Sequence, residues 1–195
     1  MIAETKHCLR NLTKFEGRDS RQTFWYYILA LVLFQMALGV VIAVPLMMDM
    51  FSRVFSAAQN GVPPEQMSAM MMGQMGPMVE RQITAGAVLA VISAALFVAA
   101  FVRRLHDSNK PGWIALIPLL TVALGQYLAF TQVGQMMDTL AAATQSGDME
   151  QLAAANRPIQ IFSLVGWVGY LVVIVFGALQ STPGPNRYGD APAEV

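Results

Sequence analysis

The stretch GRDSRQTFWYYILALVLF, Gly17 to Phe34, sets three charges within five residues against a run that has none. Charge-free sequence continues from Gln22 to Met48, longer than the roughly 20 apolar residues that carry an α-helix across about 30 Å of hydrocarbon. The pattern predicts a helix that enters a membrane directly behind a charged margin. Three further stretches meet the same condition: Gln82–Val102, Pro111–Met137 and Pro158–Asn186. We read transmembrane helices near 23–48, 83–102, 112–131 and 159–180. The first is about twice the length of a signal-peptide core and no small-residue cleavage site follows it, so cleavage is not expected.

Composition agrees with this reading. Of 195 residues, 55% are hydrophobic and 12% charged, against roughly 25% charged in ordinary soluble domains. The formal net charge is zero, so no global field draws nucleic acid, and electrostatic arguments rest on where the charges sit. Cys8 is the single cysteine and forms no internal disulfide. Lys6, Arg10, Lys14, Arg18 and Arg21 precede the first helix; Arg103, Arg104 and Lys110 lie in the middle loop, and Arg187 in the tail. Against these nine stand Arg53, Arg81 and Arg157 in the other two loops. The positive-inside rule then places both termini and the middle loop in the cytoplasm, with 51–82 and 132–158 facing outward.

Comparing the halves suggests a repeat. Asp19-Ser20 and Trp25 match Asp107-Ser108 and Trp113, and Met47-Met48-Asp49 is echoed by Met136-Met137-Asp138. AAQNGVPPEQMSAM (Ala57–Met70) resembles ATQSGDMEQLAAA (Ala143–Ala155), and Arg81-Gln82-Ile83 answers Arg157-Pro158-Ile159. Chance likeness among low-complexity apolar segments is the competing reading. The expected fold is an all-α, polytopic integral membrane protein whose four transmembrane helices form two parallel-repeat helical hairpins, with helices extending beyond the outer face. It is one membrane domain: a cytoplasmic amphipathic segment 1–22, a hairpin 23–102, a cytoplasmic loop 103–111, a hairpin 112–180 and a cytoplasmic tail 181–195. Within 1–16, Ile2, Leu9, Leu12 and Phe15 oppose Lys6, Arg10 and Lys14, the pattern of a helix lying on the inner leaflet.

Past Met50 the spacing of Phe51, Val54, Phe55 and Ala58 keeps a helical rhythm, and Val133, Met136, Met137, Leu140 and Ala141 do much the same. A first helix running to Gln59 is about 55 Å long and outreaches the bilayer. Asn60-Gly61 and Ser146-Gly147 are turn dipeptides, and Asp148 with Gln151 can cap the returning helix.

Several features invite a functional reading. MSAMMMGQMGPM, Met67 to Met78, holds six methionines, and thioethers select Cu(I). Met67, Met70, Met71, Met75 and Met78 also share one helix face, where they can pack on the other hairpin or lie at the lipid interface, and packing is the favoured reading, with no metal site expected. A basic collar gathers Arg18, Arg21, Arg103, Arg104, His106, Lys110 and Arg187 on the cytoplasmic side. It can bind phosphate headgroups or an acidic partner, or orient the helices and pair with Glu16, Asp19 and Asp107; the structural role is favoured. Asp19, Ser20, Ser108 and Asn109 suit helix caps, Pro111 suits a first helical turn, and Trp25, Tyr26, Tyr27 and Trp113 suit an interfacial belt.

The predicted spans contain no Asp, Glu, Lys, Arg or His, whereas proton relays and many ion-coupled transporters need such groups in the membrane. Gly86, Ala90 and Ala94 form a small-residue ridge suited to close helix approach, within the protein or in a homo-oligomer. No P-loop, G-x-S-x-G, H-E-x-x-H or C-x-x-C pattern occurs.

Three segments together resemble a known family: FEGRDSRQTFWYYIL (Phe15–Leu29), VRRLHDSNKPGWIALIPL (Val102–Leu119) and TPGPNRYG (Thr182–Gly189). They are similar to the signatures of the bacterial inner-membrane family catalogued as domain of unknown function 805. The resemblance implies a bacterial plasma-membrane location and a multi-helix fold, and it supplies no reaction. It puts Arg18, Arg21, Arg103, Arg104, His106, Asp107, Lys110, Trp113, Asn186 and Arg187 at signature positions. The outer loops, longer than in compact members, draw no role from it. The resulting expectation is a non-enzymatic membrane protein without cofactor, binding anionic membrane lipid or a membrane-protein partner through these residues. The alternative is a small transporter or channel formed between the repeats or in an oligomer.

Overall fold

The structure, a computed structural model, describes residues 1–146 and 149–192. Its elements are α1 (Ile2–Arg10), α2 (Arg21–Gln59), α3 (Pro64–Asp107), a 3-10 turn (Gly112–Ala115), α4 (Leu116–Ser146) and α5 (Met149–Ala178). Among the described residues the fold is all-helical, with one isolated bridge between Asn186 and Gly189. Arg21–Gln59, Gly76–Asp107 and Gly112–Gln132 are long and apolar enough to cross a membrane, and Leu164–Ala178 is a shorter apolar stretch of α5. Only 6% of the most apolar window of α2 is buried inside the protein. Side chains such as Val40, Val41, Leu120 and Tyr170 stand exposed, an arrangement that suits hydrocarbon as solvent rather than water.

Chain breaks follow local chemistry. Ser20 caps α2, its Oγ accepting from the Thr23 amide at 3.2 Å, which satisfies one of the orphan donors of a helix start. α2 ends at Gln59, where the periodicity predicts. Gly61 takes the left-handed conformation (φ 68°), and the amides of Gly61 and Val62 return to Ala58 and Ala57. α3 closes in the same way: Asn109 has φ 55°, its amide bonds to His106, and the Lys110 amide bonds to Leu105 at 2.8 Å. Both are Schellman stops, one on glycine and one on the asparagine that tolerates the same conformation.

Several expected boundaries shift. α3 runs to Asp107, so Arg103 and Arg104 are helical residues and not members of a loop 103–111. Pro111 precedes the 3-10 turn as its N-cap instead of occupying a first α-helical turn. Of the expected caps on helix starts, Ser20 serves, whereas Asn109 ends α3 instead of capping the next helix. Asp19 instead pairs with side chains, and Ser108 Oγ bonds back to Leu105 O. The Asp148 cap lies outside the described residues.

The chain divides into two compact units. The first comprises Met1–Gln35, Val88–Gly125 and Ser163–Val195. Its core packs Phe24, Phe101, Val102, Leu105, Ile114 and Ala115, with Trp25, Phe97, Val172 and Phe176 around them. Phe97 and Phe101 stack at 5.0 Å, and Trp25 meets Phe24 edge-on at 5.4 Å. Cys8, Tyr27 and Ala100 form a smaller cluster that seats α1 on α2 and α3. Gln35 and Ser93 hydrogen-bond to each other.

The second unit comprises Met36–Ala87 and Gln126–Phe162. In its α2–α3 hairpin, Asp49 pairs with Arg53 at 2.9 Å and Phe51 stacks on Phe55 at 6.1 Å. Met67, Met70, Met71 and Met78 line a cavity together with α2 residues of the same hairpin. Among the described residues they thus line a cavity of their own hairpin.

Candidate functional site: a buried ionic clamp

The residues that sequence grouped as a basic collar separate by burial. Arg18, Arg103 and Arg104 are 8%, 3% and 0% exposed, and Asp19 and Asp107 are 2% and 0% exposed. Three guanidiniums and two carboxylates therefore sit inside the first unit. Buried charges persist only when paired and hydrogen-bonded; each of the three guanidiniums meets a carboxylate, while Arg103 Nη2 has no partner among the described residues.

Asp107, in the last turn of α3, holds two arginines. Arg18 reaches its Oδ1 through Nε at 3.2 Å and Nη2 at 3.0 Å. Arg104, one turn back on the same helix, reaches Oδ2 through Nη1 at 2.6 Å. Ser181 donates to the same oxygen, and the Asp107 carbonyl accepts from the Thr182 amide at 2.9 Å. The other donors of Arg18 and Arg104 find carbonyls in the last turn of α5 and just past it. Arg18 donates to Gly184 and Thr182, both at 2.7 Å, while Arg104 donates to Gly177 at 3.0 Å and to Leu179. The α5 C-terminal carbonyls, carrying the negative end of the helix dipole, are thus met by Arg104.

Asp19 anchors the other half. Arg103 donates to its Oδ2 at 2.8 Å, and His7 Nε2 lies 3.1 Å from its Oδ1. Arg103 also donates to the carbonyls of Asn11 at 2.7 Å and Lys14 at 2.6 Å, fixing the segment behind α1. Cys8 points its thiol at Asp19 from 3.9 Å. Burial, then the Asp19 charge, push this thiol up to about 12, so it stays protonated and is a poor nucleophile near neutrality.

A third layer closes over the tail. The His106 ring stacks on Tyr188 at 3.8 Å and 7°, and Arg187 lies 4.7 Å above the same tyrosine. Asn186 donates from Nδ2 to His106 O at 2.9 Å and accepts the Tyr188 amide at 2.8 Å. Arg187 donates to Asn109 O at 3.2 Å.

Of the ten predicted site residues, Arg18, Arg103, Arg104 and Asp107 share this buried network, while His106, Asn186 and Arg187 form the adjoining tail lock. Arg21, Lys110 and Trp113 are exposed and outside it. The burial of Arg18, Arg103 and Arg104 corrects their expected place on a headgroup-binding surface, since all three are paired with carboxylates inside the protein. Glu16 is exposed and takes no part in these pairs. Sequence reasoning missed His7, Ser181 and the carbonyl acceptors of 177–184. The T-P-G-P run after α5 was the signal for these carbonyls, as a break that frees them.

What remains outward is α1. Its Glu4 and Cys8 face the protein; Ile2 (82% exposed) and Leu9 (46%) lie on the opposite side. Lys6, Arg10 and Lys14, with His7 and Asn11, line a shallow groove. The helix spans only 2–10, shorter than the 1–16 read from the sequence.

Fold and clamp define an all-helical protein, with helices suited to a membrane, whose terminal segments and helix ends are locked by one charge network. The chain belongs to the family described as Protein of unknown function (DUF805), whose model matches residues 12–190. No curated protein and no solved structure matches it.

Proposed function

We propose that this is a non-enzymatic bacterial inner-membrane protein with four spans in two repeated hairpins, both termini cytoplasmic, that binds anionic phospholipid headgroups through its cytoplasmic face. The observation that carries the reading is the division of labour among the basic residues. Arg18, Arg103 and Arg104 are internal ties, whereas Lys6, Arg10 and Lys14 surround a groove beside the outward Ile2 and Leu9. Apolar side chains flanked by cations are how an interfacial helix meets a charged leaflet. Arg21, Lys110 and Arg187 are exposed as well.

Each basic group near an anionic surface contributes about 1 kcal/mol. Replacing Lys6, Arg10 and Lys14 by Gln should therefore weaken phosphatidylglycerol retention at least ~10-fold, measured by native mass spectrometry of the full chain in mild detergent. Phosphatidylcholine retention should not change. Equal phosphatidylglycerol retention by the folded triple variant would overturn the reading.

A further inference from the structure

The α2–α3 hairpin carries chemistry that the clamp does not use. Asp49, Met50, Arg53, Val54 and Ala57 recur at helical spacing along one face of α2, and Met67, Met70, Met71 and Met78 do so on α3. The two faces enclose a cavity of about 280 Å³ into which five methionines contribute. Ala57 is buried, while Met50, Met70 and Met71 remain half-exposed. Among the described residues no group of three His, Cys, Asp or Glu could hold a metal ion. The donor set here is accordingly soft and neutral.

We propose that this cavity binds a soft monovalent cation of the Cu(I) class through methionine thioethers drawn from both helices. Thioethers prefer such ions over hard or borderline ones, and methionine's three rotatable bonds allow the sulfurs to converge without moving the backbone. The charge around the cavity does not attract a cation, so such an ion would be held by sulfur alone. Asp49 is paired with Arg53 at 2.9 Å, and Arg81 adds a further positive charge to the lining. Arg81 opposes a cation and would favour an amphipathic anion, so it discriminates between the two kinds of ligand. A thioether has no proton to lose, so binding is level across pH values where histidine or cysteine sites weaken on acidification.

The probe is Ag(I), which is redox-stable, added to the full-length protein in phosphatidylcholine nanodiscs and chloride-free buffer, with bound metal measured after dialysis. The expected result is about one Ag(I) per chain, displaced by Cu(I) but not by Zn(II), and equally retained at about pH 5.5 and pH 7.5. Replacing Met50, Met71 and Met78 by Leu conserves volume and should weaken binding at least ~10-fold, with helicity and elution volume unchanged. Met47→Leu with Met48→Leu, two exposed positions outside the cavity, should leave binding as it is. Arg81→Gln should tighten it. Wild-type affinity in the triple Leu variant, displacement by Zn(II), or weaker binding after Arg81→Gln would each overturn the site.

Discussion

Asp107 pairs with two arginines, and neither can turn to water, since Arg18 and Arg104 are buried with it. Removing one partner from such a group leaves a charge in a low-dielectric site, which costs about 3–5 kcal/mol. Asp107→Asn should lower the stability of the detergent-solubilised protein by that order, read from its thermal midpoint. Asp49→Asn removes an equally short pair, 56% exposed on both sides, and should change stability by at most about 1 kcal/mol. Equal effects of the two substitutions would mean that the clamp does not hold the fold. The same contrast marks where reading by residue stops. Arg18 and Arg21 stand three apart in one charged patch, yet one is buried and the other exposed. Their side chains are chemically identical, and only the position of Asp107, 89 residues away, separates them.

At the scale of elements, the helices were legible because hydrophobic runs and their stops are local. The break after Gln59 could be read from Asn60-Gly61, and the end of α2's charged margin from Asp19-Ser20. The extent of α3 could not, because the charges at Arg103 and Arg104 resemble a loop until their partners are in place. How closely α5 approaches α2 was equally hidden. At Gly177 an added Cβ would lie 2.7 Å from Phe24 Cε1 and 3.1 Å from Trp25 Cζ2. Phe24 is fully buried and cannot yield, while the Gly177 carbonyl takes hydrogen bonds from Trp25 and Arg104. Gly177→Ala should destabilise by about 1–3 kcal/mol through overpacking. Gly125→Ala, with open space around it, should be neutral or slightly stabilising as a helix-interior change. Thermal unfolding of both variants checks the pair.

For the whole molecule, the imbalance of basic residues predicts an orientation that labelling tests. A cysteine at Asn60, in the turn after α2, should react with a membrane-impermeant maleimide added to intact spheroplasts. One at Thr13 should react only after lysis. The native Cys8 contributes little background, because its thiol is buried and its pKa raised to about 12. Labelling of Thr13→Cys from outside would reverse the proposed topology.

By itself the sequence determined the all-helical, membrane-suited character of the chain, its family, and where several helices begin and end. Those properties follow from composition and from interactions spanning one or two helical turns. Only the tertiary structure decided which basic residues are ties and which are surface, that α1 turns Ile2 and Leu9 outward, and that methionines of α3 share a cavity with Met50. These depend on contacts between residues far apart in the chain, where a charge is neutralised or exposed according to what folds against it.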